Sequence, residues 1–82
     1  MPFYYFHLRD GQDILLDPDG RELANLDQAM TVALREAREL IAHDARDGHI
    51  RLDLRLDLEN GDGRIVHSLA FADAVRIVPA DS

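Results

Sequence analysis

IRLDLRLDLE, residues 50–59, alternates without a break. Ile50, Leu52, Leu54, Leu56 and Leu58 fall on one side of an extended chain, and Arg51, Asp53, Arg55, Asp57 and Glu59 on the other. A period of two is that of a half-buried β-strand. Leucine is a modest strand former, but the strict alternation outweighs its propensity. At roughly 3.3 Å per residue the strand is about 33 Å long. The NGDG that follows at 60–63 turns the chain back. Reading Gly61-Asp62 as a two-residue hairpin loop sets Glu59 opposite Arg64, Leu58 opposite Ile65, Leu56 opposite His67, Leu54 opposite Leu69 and Leu52 opposite Phe71. A slip of one residue would bring Leu58 against Arg64, so that register is rejected.

Upstream, residues 25–47 read as a helix. Leu26, Met30, Ala33, Leu34, Ala37, Leu40, Ile41 and Ala45 recur at three- and four-residue spacing. Asn25 with Gln28 forms a capping box, and Gly48 sits just past the C-terminus. Arg35 and Glu39 are placed to pair one turn apart. At about 1.5 Å per residue this helix is also about 33 Å long, enough to cover the strand pair.

At the front, FYYFHLRDG (3–11) asks why four aromatic residues stand in one row. A three-residue loop, Asp10-Gly11-Gln12, sets Leu8 opposite Ile14, Phe6 opposite Leu16, Arg9 opposite Asp13 and Tyr5 opposite Asp17. Tyr4, Phe6, Leu8, Ile14 and Leu16 then face the core. Tyr5, His7, Arg9, Asp13, Leu15 and Asp17 face outward. Asp17-Pro18-Asp19-Gly20 makes a tight turn, with Pro second and Gly fourth. Arg21–Leu23 reads as a short third strand, 71–75 as a helical turn, and 75–78 as a last extended piece ended by Pro79. Each of the five glycines follows an Asp or Asn, so turns punctuate the whole chain.

These elements predict a single α+β domain over residues 1–82. It has two layers: an antiparallel sheet of about four strands in ββ-α-ββ order, with one long helix packed on one face. Strand order stays open, since the two hairpins join through either edge.

Composition narrows the function. The chain has 82 residues, no Cys and a formal charge of -7. Disulfides, Fe–S clusters and thiolate zinc sites are out, and a reducing cytoplasm is the expected setting. An acidic surface repels phosphates, so nucleic acid is not an expected partner. No run reaches the roughly 18 apolar residues of a membrane span, and no basic stretch precedes an apolar one as in an export signal. All nine basic residues are Arg. A domain this small gains little from its own core, which leaves good packing or self-association to stabilise it.

The constellation weighed as a site is Tyr5, His7, Arg9 and Asp13 on the outer face of the first hairpin. It reads as a carboxylate or anion pocket with Tyr5 as a wall, or as a solvated cross-strand network. His67 reads as a core histidine with one hydrogen-bond partner. His43 and His49 flank the helix end without a third ligand, and the Asp-x-Asp-Gly of 17–20 lacks the rest of a calcium loop, so no metal and no cofactor are expected. Ser68, Ser82 and Thr31 lie in no nucleophile motif, so no enzyme activity is expected.

YYFHLRDG, the D-P-D-G turn, the L-x-x-A-x-x-x-A-L-x-x-A-R-E-L helix at 26–40, G-R-I-V and F-A-D-A-V together resemble a family of short bacterial proteins known as a domain of unknown function. The resemblance covers nearly the whole chain and implies a small stand-alone protein with no catalytic residues to carry over. Hairpin followed by helix, with Leu26-Asp27-Gln28-Ala29, also resembles HicB-type antitoxins. The expected function is a non-enzymatic protein-interaction module acting as a homodimer. The alternatives are an antitoxin-like protein masking a basic partner, and a small-molecule binder using Tyr5, His7 and Arg9.

Overall fold

The computed structural model describes residues 1–81. The elements run β1 (Phe3–Asp10), β2 (Asp13–Leu15), β3 (Arg21–Glu22), α1 (Leu26–Arg46), β4 (Leu54–Asn60), β5 (Ile65–Ala70) and α2 (Phe71–Ala74). The sheet is antiparallel in the order β2-β1-β4-β5, and β3 pairs with the same edge of β1 as β2, further along it. The hairpins therefore join through β1 and β4, which pair from Tyr4↔Asn60 to Asp10↔Leu54. This is the α+β, two-layer arrangement that the alternation and the helix spacing require.

The helix starts where its cap predicts. Asn25 accepts from the Gln28 N–H at 2.8 Å, while Gln28 Oε1 accepts from the Ala24 N–H, one residue before the capping-box position. It ends in paired bonds from Gly48 N to Ala45 O and from His49 N to Asp44 O, which satisfy carbonyls left open by the last turn. The buried stripe is Ala29, Val32, Ala33 and Ala37, whereas Leu26 and Met30 lie at the rim. Small residues take the centre line because the helix backbone rides close to the sheet there. Its ion pair runs to the sheet side, from Glu36 to Arg21, instead of along its own surface from Arg35 to Glu39.

Two clusters form the core. Ala29 and Val32 meet Tyr4, Leu23 and Leu58; Ala37 meets Leu54, Leu56, Phe71 and Ala74. Leu58 and Phe71 are each 1% exposed. Burying a side chain of that size contributes about 1.5–3 kcal/mol.

Several expectations are corrected. The strand of 50–59 begins only at Leu54. Its neighbours end there: β1 turns away after Asp10, opposite Leu54, and β5 becomes α2 after Ala70, opposite Arg55. Residues 50–53 have no ladder to join, and Ile50 is exposed. Arg51 instead forks onto Asp10 at 2.8 and 3.0 Å and also binds Asp53.

In the second hairpin, Leu56 faces Leu69 and Leu58 faces His67, a shift of two residues from the expected register. Asn60 Oδ1 accepts from both Asp62 N–H and Arg64 N–H, and Asn60 N–H donates to Arg64 O, so the loop holds three residues, 61–63. A bulge then adds Val66, which packs on the Tyr4–Leu58 cluster and turns Ile65 outward. His67 is only half-buried.

The first hairpin has the two-residue loop Gly11-Gln12, with Asp10↔Asp13, Arg9↔Ile14 and Leu8↔Leu15. Gly11 has φ +61° and Gln12 no positive φ, as a turn with Gly in its first central position demands. Leu15, not Ile14, thus joins the helix side. The piece 75–78 is extended at Val75, as expected, and pairs with no strand, leaving Ile77 and Val78 exposed.

Candidate functional site

Because β1 and β4 are neighbours, the outward residues of both strands line up in rows across the face away from α1. Arg9 lies opposite Arg55, His7 opposite Asp57 and Tyr5 opposite Glu59; Ser68 of β5 extends the middle row. Asp57 is the hub. It is 3% exposed and accepts from Arg9 Nε at 2.6 Å, Arg55 Nε at 2.9 Å and Ser68 Oγ at 2.8 Å. Burial, the largest influence, pushes its carboxyl up, but the bonds from Ser68, Arg55 and Arg9 outweigh it and hold the group below the usual carboxylate range. The Arg9 and Arg55 charges, which would repel across the strands, share this one anion.

His7 is buried beside it, at 6% exposure, although it points away from the helix. The loop 16–20 covers it. Asp17 N–H donates to His7 Nδ1 at 3.0 Å, and Nε2 lies 3.4 Å from Glu59 Oε2. A ring that accepts at Nδ1 carries its proton on Nε2 and donates it to Glu59. The Tyr5 ring stacks nearly parallel to His7, 10° between planes, with centroids 6.4 Å apart. Gly20 presses on Tyr5 from the loop: a Cβ there would stand 2.6 Å from the ring, and its φ of +68° is one that side-chain-bearing residues avoid.

The Asp17 carboxylate staples the same loop to β1. Oδ2 accepts from Phe6 N–H at 3.1 Å, and Oδ1 from Asp19 N–H and Gly20 N–H. Burial pushes Asp17 up, but these amides together with His7 keep it below its ordinary value. Phe6 N–H faces the gap between β2 and β3, so the side chain completes the ladder that the backbone leaves open.

Of the residues singled out from sequence, Tyr5, His7 and Arg9 do share a face. Asp13 does not: it stands opposite Asp10, on the other side of the sheet from Arg9, whose partner is Asp57. Arg9 Nε and both His7 nitrogens are engaged internally. Asp17, expected on this face opposite Tyr5, reaches His7 from the loop; Arg55, Asp57, Glu59 and Ser68 lacked a local signal, because their meeting with β1 depends on the β1–β4 pairing. Among the described residues no group of three or more His, Asp or Glu is placed to hold a metal ion.

A second feature lies on the helix side. α1 runs over β4 and β5 and packs on Tyr4 of β1, and the β2 edge of the sheet stays open. A groove of about 380 Å³ results, floored by Phe6 and Leu56, with Leu15, Leu16, Asp17 and Pro18 on one wall and Arg21, Glu36 and Leu40 on the other. The Arg21 guanidinium lies 5.6 Å from the Phe6 ring centre. Leu15 and Leu16 are 69% and 61% exposed.

A family model described as a domain of unknown function, DUF6894, matches residues 3–72. The chain belongs to the DUF6894 family. No curated protein and no solved structure matches it. The DUF6894 match takes in the full sheet, α1, the Asp57 network and every residue lining the groove. No helix among the described residues is long and apolar enough to cross a membrane.

Proposed function

We propose that the protein is a non-enzymatic interaction module acting as a homodimer, in which a second copy covers the groove between α1 and the β1–β2 edge. Surface area carries the reading. The chain exposes 5862 Å², against about 4,970 Å² for a folded monomer of 9.3 kDa, an excess of about 890 Å². A stable interface takes about 800 Å² from each partner. The radius of gyration, 13.8 Å against about 11.7 Å for a compact chain of this length, agrees.

The groove is also self-complementary. An apolar floor is flanked by one cation, Arg21, and two anions, Asp17 and Glu36; Arg21 and Glu36 pair at 3.5 Å and are both partly exposed. A two-fold axis through such a patch lets each Arg21 meet the other copy's Glu36. The anion-pocket reading fares less well, since His7 and the Arg9 Nε already have partners within the chain.

Sedimentation equilibrium at micromolar concentration tests this. Wild type is expected at twice 9.3 kDa, and Leu16→Asp, with a retained helical spectrum, at one chain. A wild-type mass of one chain would overturn the dimer. If a basic protein then bound at the groove and Leu16→Asp abolished that binding, the masking role suggested by the acidic composition would replace it.

A further inference from the structure

We propose that His7 is a proton-operated latch on the wall of this groove; its effect on self-association rests on the dimer reading, but the latch itself does not. The loop 16–20 straddles the edge of β1. On the helix side Leu16 and Pro18 form the groove wall. On the outer side the Asp17 amide is held by His7 Nδ1 at 3.0 Å. A protonated imidazole has a hydrogen on both nitrogens and accepts at neither. Protonation therefore replaces an N–H···N bond with two opposed N–H groups beside a ring that is itself buried. The relief is movement of the loop, and the wall moves with it.

The other charged and titratable groups around His7 set the direction. Arg9 and Tyr5 flank it on β1; Arg55, Asp57 and Glu59 face it from β4; Asp17 and Asp19 lie in the loop. Glu59, already at Nε2, gains an ion pair when the ring is charged, so the proton is accommodated once the Asp17 amide lets go. Asp17 and Asp57 are held below the usual carboxylate range. They stay ionised across about pH 8 to 5, where imidazoles titrate. Over that span no carboxylate around the ring changes charge: the ring loses the Nδ1 bond and gains attraction from Glu59 and from the Asp17 side chain.

The test follows the Asp17 amide of the intact chain by hydrogen exchange and ¹⁵N NMR from about pH 8 to about pH 5, alongside the sedimentation mass. His7→Asn is the control, since an amide oxygen can accept from Asp17 N–H and does not titrate there. The expected result for wild type is a drop of about tenfold in Asp17 protection, after correction for intrinsic rates, the weight of one hydrogen bond. His7→Asn should hold its protection throughout. The ring ¹⁵N shifts should show Nδ1 bare at the alkaline end and protonated as the amide is released. That readout needs no variant. Unchanged Asp17 protection in wild type while the ring titrates would overturn the latch, and so would an equal drop in His7→Asn. A mass that falls to one chain in step with the amide supports control of assembly. A mass of two chains throughout, with the amide released, overturns that control. A mass of one chain already at the alkaline end defeats the dimer reading alone, and the amide still decides the latch.

Discussion

Leu54, Leu56 and Leu58 in β4 and Ile14, Leu15 and Leu16 at the β2 edge are the same chemistry in two places. The first three are 7%, 4% and 1% exposed; the second three are 40%, 69% and 61%. Strand-forming character does not separate them, and neither does composition. What separates them is the track of α1, which crosses β4 and β5, reaches β1 at Tyr4 and stops short of β2, while Ile14 lies on the face away from the helix. An apolar residue is only as buried as the element laid over it, and here one helix covers half of a sheet that is apolar across its width.

The largest break of this contrast should come from the covered half. Leu58→Ala is expected to lower unfolding free energy by about 2–5 kcal/mol, read as a shift in denaturant midpoint at constant slope. Asp57→Ala comes next, at about 1–3 kcal/mol, because Ser68 and two guanidiniums lose their acceptor.

The same carboxylate gives a pH signature. Asp57 and Asp17 titrate lower folded than unfolded, so their stabilisation is full above the ordinary Asp value of about 3.9 and fades as pH falls through the folded values. Asp57→Asn should flatten that acid limb in melts taken below about pH 4. An unchanged limb would show that Asp57 is not held as described. Gly20→Ala should cost about 1–2 kcal/mol in the same denaturant assay, since a left-handed backbone and the Tyr5 ring both oppose a Cβ. Smallest is the uncovered half. Leu16→Ser should move the stability of the dissociated chain by no more than about 0.5 kcal/mol. A loss as large as that of Leu58→Ala would mean that Leu16 is core and the contrast is false.

Much of the fold was legible in the residues. The alternation of 54–59, the three-and-four spacing of α1, the Asn25 cap and the Asx-Gly turns are local signals, and each produced its element. The registers were not legible. Both hairpins depend on which hydrogen bonds close the loop, and the Asn60 side chain with the Val66 bulge shifted one of them by two residues without changing which side of β4 is apolar. The site was legible only in part. Tyr5, His7 and Arg9 share a strand face by alternation alone. Asp57 sat in plain view on the polar face of its strand and read as solvated, because β1 meets β4 across some fifty residues of chain. The burial of His7 under the Asp17 amide depends on a loop folding over an edge, which no periodicity encodes.

Leu16 and Ile77 offer the most direct test, since a single chain exposes them alike, at 61% and 62%. Methyl NMR with a dissolved paramagnetic agent, at a concentration where the chain is assembled, should find Leu16 shielded and Ile77 strongly relaxed, with Leu16 becoming accessible on dilution. Equal relaxation of the two methyls at every concentration would show that nothing covers the open half of the sheet.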